Sequence, residues 1–292
     1  MLWRQMELIL RENFGARHLS RRPEPDLVMA SPDAVSQFHK QGGEALVPIY
    51  RFNAAAIDHL LPAGAKVLDL GSGSGQFLAH LSEVRPDVEL VGLELSDEMI
   101  SVGNKMLQER GLADRVQLRR GDMTEDLGGV AGKVDAVTCV FALHHLPDEA
   151  ALRQTLSNLW RLRSSHGAAV WLFDHSRPRS MRTAVNFPEI FTPDASVIFK
   201  EDSRNSLIAS FSFEELRDVL REECSAPLSH RRASVLPLYQ AHWSQGSHEG
   251  PAEFGATAVH SKMWAGRPLR GEAAKQCRSF CRIMRMPPRW CD

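Results

Sequence analysis

A glycine-rich turn directly after a short apolar run constrains the fold of this chain more than any other feature of its sequence. The run 66–70 contains one acid, Asp69, and leads into Gly71, Gly73 and Gly75 at alternate positions. Glycine accepts positive φ angles and lets other groups approach the main chain closely, so such a turn can hold a ligand against the backbone. The segment therefore predicts a strand, a tight turn and a helix in that order.

The same pattern of an apolar run that ends in a polar residue returns at regular spacing downstream. Strands are predicted at 66–70, 88–94, 116–120, 134–140 and 168–173, with helices at 75–84, 97–110, 148–163 and 213–223, and a closing hairpin within 228–243. Alternating strands and helices form right-handed crossovers, which build a parallel sheet covered on both faces. The predicted fold is α/β, with a doubly wound, mostly parallel, Rossmann-like sheet of the seven-strand type.

Changes in composition along the 292 residues predict three regions. Residues 1–61 are expected to form an N-terminal helical segment that acts as a lid, and residues 62–245 to form the domain with the sheet. Residues 246–292 are rich in Gly, Ser, Pro and Arg, and we expect an irregular basic C-terminal tail there.

Composition excludes several classes of function. The net charge of −1 provides no overall field that would attract nucleic acid or an anionic membrane, and no apolar run is long enough to cross a bilayer. The five cysteines are odd in number and scattered, which argues against a disulfide framework and fits a reducing compartment. We expect a cytoplasmic protein with no nucleic-acid, membrane or metal partner, although the arginines of residues 1–22 give a weak mitochondrial-targeting alternative.

Acidic residues stand where the first three predicted strands end. Ligands of open α/β sheets bind beyond these carboxyl ends, so Asp69, Glu94 and Asp122 are expected to face one pocket. Glu94 can accept hydrogen bonds from two ribose hydroxyls, and Asp122 is placed for the amino group of a base. A nicotinamide dinucleotide and S-adenosylmethionine both fit this plan, but Gln76 stands where the third glycine of a dinucleotide turn would fall.

Four motifs together resemble the class I S-adenosylmethionine-dependent methyltransferases of the small-molecule type. They are the runs 67–75, 92–96, 121–123 and 141–146, and the resemblance extends over about residues 45–243. It implies that residues 62–245 are a methyltransferase domain with S-adenosylmethionine as its cofactor. The expected enzyme transfers the methyl group to an O, N or S nucleophile of a small molecule by in-line displacement.

The resemblance also implies which residues hold the cofactor. In that family the glycine turn and the first acid hold the methionine part, the second acid holds the ribose, and the third faces the adenine. By match, the cofactor-binding residues are Asp69, Gly71, Gly73, Gly75, Glu94, Asp122 and Met123, with Phe141 lining the pocket and Tyr50 reaching it from the helical lid.

Three polar residues after the fourth and fifth strands are candidate catalytic groups. His144 and His145 follow the strand at 134–140, and a neutral imidazole can accept a proton near pH 7. Asp174 follows the strand at 168–173, at the edge of the expected pocket. Two alternatives stay open, namely an NAD(P)-dependent oxidoreductase and a non-catalytic protein of the same fold with a binding or regulatory role. The sequence predicts neither the acceptor nor the oligomeric state.

Overall fold

A seven-stranded sheet forms the centre of the molecule in the computed structural model, which describes residues 2–25, 32–247 and 271–286. The strands are β1 (Lys66–Leu70), β2 (Glu89–Glu94), β3 (Val116–Arg120), β4 (Ala136–Val140), β5 (Ala169–His175), β6 (Ser229–Arg232) and β7 (Tyr239–Ser244). Their order is β3-β2-β1-β4-β5-β7-β6. The first five strands pair in parallel, and β7 runs antiparallel to both of its neighbours. The predicted fold class is confirmed, including the closing hairpin.

Helices cover both faces of the sheet and its carboxyl edge. They are α1 (Leu2–Phe14), α2 (Pro32–Ala45), α3 (Val47–Asp58), α4 (Gln76–Val84), α5 (Asp97–Glu109), α6 (Gly128–Ala131), α7 (Glu149–His166), α8 (Met181–Phe191), α9 (Val197–Ala209), α10 (Phe213–Glu223) and α11 (Gly271–Ile283). Local sequence signals set several of these ends. Ser212 and Glu215 form the capping box that their spacing predicts at the start of α10, and Gly167 ends α7 in the left-handed conformation.

Alternate residues of the central strands point to opposite faces and enter two separate hydrophobic clusters. On one face Trp171 and Phe173 of β5 pack with residues of α3, α4 and α11. On the other face Val170 and Leu172 pack with residues of α7 and α10. Because both faces are buried, the central strands are apolar along nearly their whole length.

Two segments differ from the sequence-based expectation. The stretch 181–209 forms α8 and α9, which the residue pattern did not predict because Pro188 lies inside α8 and a polar run occupies the middle of α9. Within the tail that was expected to be irregular, Gly271–Ile283 forms α11. Its Phe280 ring lies 4.9 Å from the Phe52 ring of α3, so this part of the tail is packed against the domain.

The remainder of the expected tail, residues 248–270 and 287–292, lies outside the described residues. Among the described helices, none is both long enough and apolar enough to cross a membrane.

Candidate functional site

The carboxyl ends of the parallel strands open into a cavity of about 650 Å³. It lies where β1 separates β2 from β4, which is the point at which the strand order reverses and where ligands of such sheets bind. Helices α2, α3, α8 and α9 supply the opposite wall. Most of the predicted site residues line this cavity, namely Tyr50, Asp69, Gly71, Gly73, Glu94, Asp122, Met123, Phe141, His144 and His145. Gly75 and Asp174 are not part of its wall.

The cavity has two ends of different construction. We call the part around the turn after β1, with Glu94 and Asp122, the glycine end. The part around His144, His145, His175 and Asp202 is the histidine end. The two ends form one continuous space.

The turn after β1 approaches its neighbours so closely that a side chain has no room at its first glycine. Gly71 has a φ of 66°, and a Cβ placed there would lie 2.4 Å from the Cβ of Ala142 in the loop after β4. Gly75 begins α4 with a φ of 71°. At Gly71 and Gly73 the turn therefore presents main-chain atoms to the cavity.

Glu94 ties this turn to the next strand–helix junction. One carboxylate oxygen accepts a hydrogen bond from the main-chain N–H of Gly73 at 2.8 Å, and the other accepts from Leu95 and Ser96, each at 2.9 Å. The side chain of Ser96 in turn caps α5. Glu94 is thus held in a fixed orientation at the mouth of the glycine turn.

Asp69 is buried beneath the turn. The hydroxyl of Thr138 donates a hydrogen bond to its carboxylate at 2.6 Å. Burial, reinforced by the nearby charge of Glu94, raises the pKa of Asp69 to about 8 in spite of that hydrogen bond. A cation placed beside this carboxyl group would favour its ionised form.

The other predicted residues of the glycine end lie on opposite sides of the cavity. Asp122 accepts hydrogen bonds from both the main-chain N–H and the hydroxyl of Thr124 at 2.8 Å, which fixes the loop after β3. Tyr50 lines the wall from α3, and burial holds the pKa of its hydroxyl well above the usual range. Its ring stacks on His80 at a centroid distance of 6.1 Å.

Helix α2 covers the glycine end through contacts that the sequence did not predict. The ring nitrogen Nδ1 of His39 lies 2.8 Å from the hydroxyl of Ser74, and the side-chain amide of Gln76 donates to the carbonyl of His39 at 2.6 Å. A Cβ at Gly43 would lie 2.7 Å from the same amide. The glycine therefore allows α2 to pack directly onto α4.

A buried ion pair organises the histidine end. Nδ1 of His144 lies 2.6 Å from Oδ1 of Asp174, and the main-chain N–H of His144 donates to Oδ2 at 3.0 Å. Burial lowers the pKa of His144, but the charge and hydrogen bond of Asp174 outweigh it and raise the pKa to about 9. Burial alone would raise the pKa of Asp174, whereas His144 brings it below its ordinary value.

Glu24 reaches the same site from the N-terminal segment, and sequence reasoning missed it. Its carboxylate oxygens lie 2.7 Å from Nδ1 of His145 and 3.8 Å from Nε2 of His144, and the hydroxyl of Ser206 donates to it at 2.7 Å. Burial raises the pKa of Glu24, but the hydrogen bond from His145 and the charges of both histidines bring it down to about 2. Its position between two prolines was the available signal, because such a segment is extended.

Arg21 holds this N-terminal segment in place. Its guanidinium donates to the carbonyls of Ala209 at 2.6 Å and Pro147 at 2.8 Å, and also to that of Leu146. It lies 4.1 Å from the centre of the Phe211 ring. Glu24 is therefore anchored three residues away by contacts to the loop that bears the histidines.

Two more titratable groups complete the histidine end. Burial and the nearby Glu24 raise the pKa of Asp202 to about 6. Burial and the charge of His144 lower the pKa of His175 to about 4, so its imidazole is neutral at physiological pH. The His175 ring lies 4.7 Å from that of Phe141, a non-glycine residue with a φ of 58°.

The remaining wall is largely aromatic. The rings that line it come from α2, α8, α9 and β7, and they are Phe38, Phe187, Phe191, Phe199 and Tyr239. Such a surface suits a planar apolar molecule. Within the described residues, the side chains that could hold a metal ion are Glu24, His144 and His145, whose donor atoms all lie within 4.8 Å of one another.

One family model matches part of the chain. Residues 67–167 match the family model described as a methyltransferase domain. This part of the chain is thus similar to a methyltransferase domain.

Curated relatives match only part of their length. The chain is 31% identical over 116 residues to the ubiquinone biosynthesis O-methyltransferase of Xanthomonas axonopodis pv. citri, which covers 38% of this chain and 47% of the relative. It is 34% identical over 119 residues to the demethylmenaquinone methyltransferase of Lactiplantibacillus plantarum, which covers 40% and 48%. The chain thus spans about half the length of these relatives.

Solved structures share the fold of the methyltransferase domain at low sequence identity. A SAM-dependent methyltransferase from Aquifex aeolicus has a TM-score of 0.52 and 16% identity, covering 74% of this chain and 98% of the other. The plantazolicin methyltransferase BamL, solved with a substrate analogue and SAH, has a TM-score of 0.53 and 14% identity, covering 72% and 88%. At these identities, the structural similarity shows the fold alone.

Proposed function

We propose that this protein transfers the methyl group of S-adenosylmethionine to an O, N or S nucleophile of a small molecule. One observation carries the proposal. The glycine turn, fixed by Glu94 at the point where the strand order reverses, is continuous with an aromatic space that three histidines line. This combination provides a cofactor half and an acceptor half in a single cavity.

At the glycine end, each predicted residue has a proposed partner on the cofactor. Asp69, Gly71 and Gly73 hold the methionine part, Glu94 the ribose, Asp122 and Met123 the adenine, and Phe141 and Tyr50 flank the reacting centre. Gly75 supports the methionine part through the shape of the turn, since it does not line the cavity. The buried carboxyl group of Asp69 suits the positively charged amino group of methionine. Glu94 already accepts three main-chain N–H groups, so its orientation toward a ribose is set before the cofactor binds.

At the histidine end, the acceptor nucleophile attacks the sulfonium methyl group in line with the leaving S-adenosylhomocysteine. The sulfonium is already activated, so the protein mainly supplies proximity, alignment and a water-poor space. His144 and His145 line the acceptor position as proposed catalytic residues. Asp174 orients His144 and acts as a positioning residue from behind the wall.

The size and lining of the cavity support a small, planar acceptor. About 650 Å³ is within the range of small-molecule sites, and several aromatic rings line the wall. The named relatives act in ubiquinone biosynthesis or on demethylmenaquinone, which supports an aromatic acceptor. We further propose that residues 1–61 serve as the lid of residues 62–245, since α2 and α3 line the cavity, and that the protein is cytoplasmic with no nucleic-acid partner.

Transfer of an isotopically labelled methyl group tests the proposal. The purified protein is incubated with labelled S-adenosylmethionine and pooled phenols, amines and thiols, and products are detected by mass spectrometry. We expect labelled product from at least one pool with wild type and none with Glu94→Gln. Absence of both transfer and S-adenosylmethionine binding would contradict the proposal, whereas binding without transfer to any pool would favour the non-catalytic alternative.

A further inference from the structure

Three side chains from distant parts of the chain meet at the histidine end with the donor set of a transition-metal site. Glu24 comes from the N-terminal segment, and His144 and His145 from the loop after β4. We propose that these three residues bind one divalent metal ion of the zinc class at the acceptor side of the cavity. Ion binding does not depend on the proposed function, but the role we assign to the ion does.

The donor atoms are close enough to share one ion after a small adjustment. The carboxylate of Glu24 lies 2.7 Å from Nδ1 of His145 and 3.8 Å from Nε2 of His144, and all three donors fit within 4.8 Å. Zinc bonds to nitrogen and carboxylate oxygen are about 2.0–2.2 Å long. An ion seated among them takes the place of the hydrogen bond between His145 and Glu24.

Asp174 gives His144 the orientation that a metal ligand needs. Its carboxylate engages Nδ1 at 2.6 Å, so Nε2 is the nitrogen left facing Glu24. A carboxylate that accepts the far ring N–H of a ligating histidine is the usual outer partner in metal sites, because it fixes the tautomer and strengthens the ligand. Ser206, which donates to Glu24 at 2.7 Å, holds the carboxylate ligand in the same way.

The charges around the site also favour a dication. The carboxylates of Glu24, Asp174 and Asp202 converge on this end of the cavity, and Asp202 is within electrostatic reach of both histidines and Glu24. Among the described residues, no lysine or arginine lines the cavity. His144 is a cation in the absence of metal, so a dication that displaces its Nε2 proton adds one positive charge to this acidic group.

The donor set indicates both the class of ion and its chemistry. Two imidazoles and one carboxylate match the three protein ligands of sites that keep one position open. His144 and His145 line the cavity whereas Glu24 does not, so we place the open position on the acceptor side. An acceptor hydroxyl or thiol bound there loses its proton to water, and its lone pair then forms the new bond to the methyl carbon as the sulfonium–carbon bond breaks.

Metal titration of the full chain tests this site. Chelator-treated protein is titrated with Zn²⁺ by calorimetry and with Co²⁺ by visible absorption, while S-adenosylhomocysteine binding is measured in parallel. We expect one ion per chain, a four- or five-coordinate Co²⁺ spectrum, and no thiolate charge-transfer band, which excludes the buried cysteines of α11 as ligands. Binding by an octahedral, water-like Co²⁺ ion, or no binding at all, would overturn the proposal.

Matched variants assign the ligands. Glu24→Gln and the half-exposed His145→Ala are expected to weaken Zn²⁺ binding more than the outer-partner variant Asp174→Asn, for which about 10- to 100-fold is typical. His18→Ala, an exposed histidine of the same N-terminal segment, leaves the affinity within twofold. Unchanged Zn²⁺ affinity in both Glu24→Gln and His145→Ala would overturn the assignment of these ligands. If one variant fails to fold, the Co²⁺ spectrum of the wild-type protein still tests the site.

The parallel measurement separates the two proposals. If S-adenosylhomocysteine binds and Zn²⁺ does not, the metal site is wrong and the proposed function stands. If Zn²⁺ binds and S-adenosylhomocysteine does not, the metal site stands and the proposed function is wrong.

Discussion

The two ends of the cavity differ in whether main-chain or side-chain groups form them. The glycine end is made of main chain, where a carboxylate from the end of β2 receives three N–H groups of two neighbouring turns. The histidine end is made of side chains. Ion pairs join the N-terminal segment to the loop after β4 and that loop to the end of β5, and a hydrogen bond joins the N-terminal segment to α9. Main-chain geometry tolerates few substitutions, whereas a network of side chains can change with its ligand. The difference suggests a constant cofactor half joined to an adaptable acceptor half.

The largest effect is expected where the main chain has no room. Gly71→Ala combines a φ of 66° with a Cβ placed 2.4 Å from that of Ala142. Left-handed strain and overpacking together predict a loss of about 3 kcal/mol or more in the free energy of unfolding. Gly111→Ala, with a φ of 65° and nothing within 4 Å, is expected to lose only about 1–2 kcal/mol. Urea unfolding measures both, and equal losses would contradict the role given to the turn.

Glu94→Gln tests the glycine end at nearly constant shape. The amide side chain cannot accept all three N–H groups, and it loses the charge-assisted bonds to a ribose. We expect an increase of about 100-fold in the dissociation constant of S-adenosylhomocysteine, measured by calorimetry. Glu98→Gln, an exposed acid in the first turn of α5, serves as the matched control and is expected to bind within twofold of wild type. Zinc affinity at the histidine end should not change, and its loss would break the separation of the two ends.

Asp174→Asn tests the histidine end, and here we expect catalysis to change while cofactor affinity does not. Because Asp174 orients His144 at 2.6 Å but is not part of the cavity wall, the variant should lower kcat about 10- to 100-fold while S-adenosylhomocysteine affinity stays within twofold. Asp194→Asn on the exposed surface is the control. A parallel loss of cofactor affinity would mean that Asp174 supports the whole cavity instead of one end.

The last prediction concerns pH and the ligand-free glycine end, where the change within any one pH unit is small. The pKa of Asp69, about 8 in the folded protein, is far above the ordinary value of about 3.9, so its contribution to stability is complete below pH 4 and is lost as pH rises toward 8. Relative to Asp69→Asn, wild type should lose up to about 1.4 kcal/mol of unfolding free energy for each pH unit in this window, and nothing further above it. A difference that is constant from pH 4 to pH 8 would show that Asp69 is ionised throughout.

The contrast between the two ends also explains which parts of the fold and of the site could be predicted from the sequence. The sheet was predictable because each strand is an apolar run closed by its own polar loop, and β1 and β3 match their predicted bounds residue for residue. The glycine end follows directly, since its groups sit at the ends of adjacent strands. That the glycine end binds a cofactor remains a prediction from the sequence.

The histidine end could not be predicted as a whole. Glu24 meets His145 because long-range contacts, those of Arg21 among them, fasten the N-terminal segment to carbonyls more than 120 residues away. No local periodicity encodes such a contact. Helices α8 and α9 were missed for a related reason, because Pro188 and a polar run conceal helices that tertiary packing stabilises.

Calorimetric titration of wild-type protein with S-adenosylmethionine, S-adenosylhomocysteine and NAD tests the central claim most directly. We expect both adenosyl compounds to bind at one site per chain with dissociation constants of about 1 μM to 1 mM, and we expect NAD not to compete for this site. Binding of NAD in place of S-adenosylmethionine would contradict the methyltransferase function and support the oxidoreductase alternative.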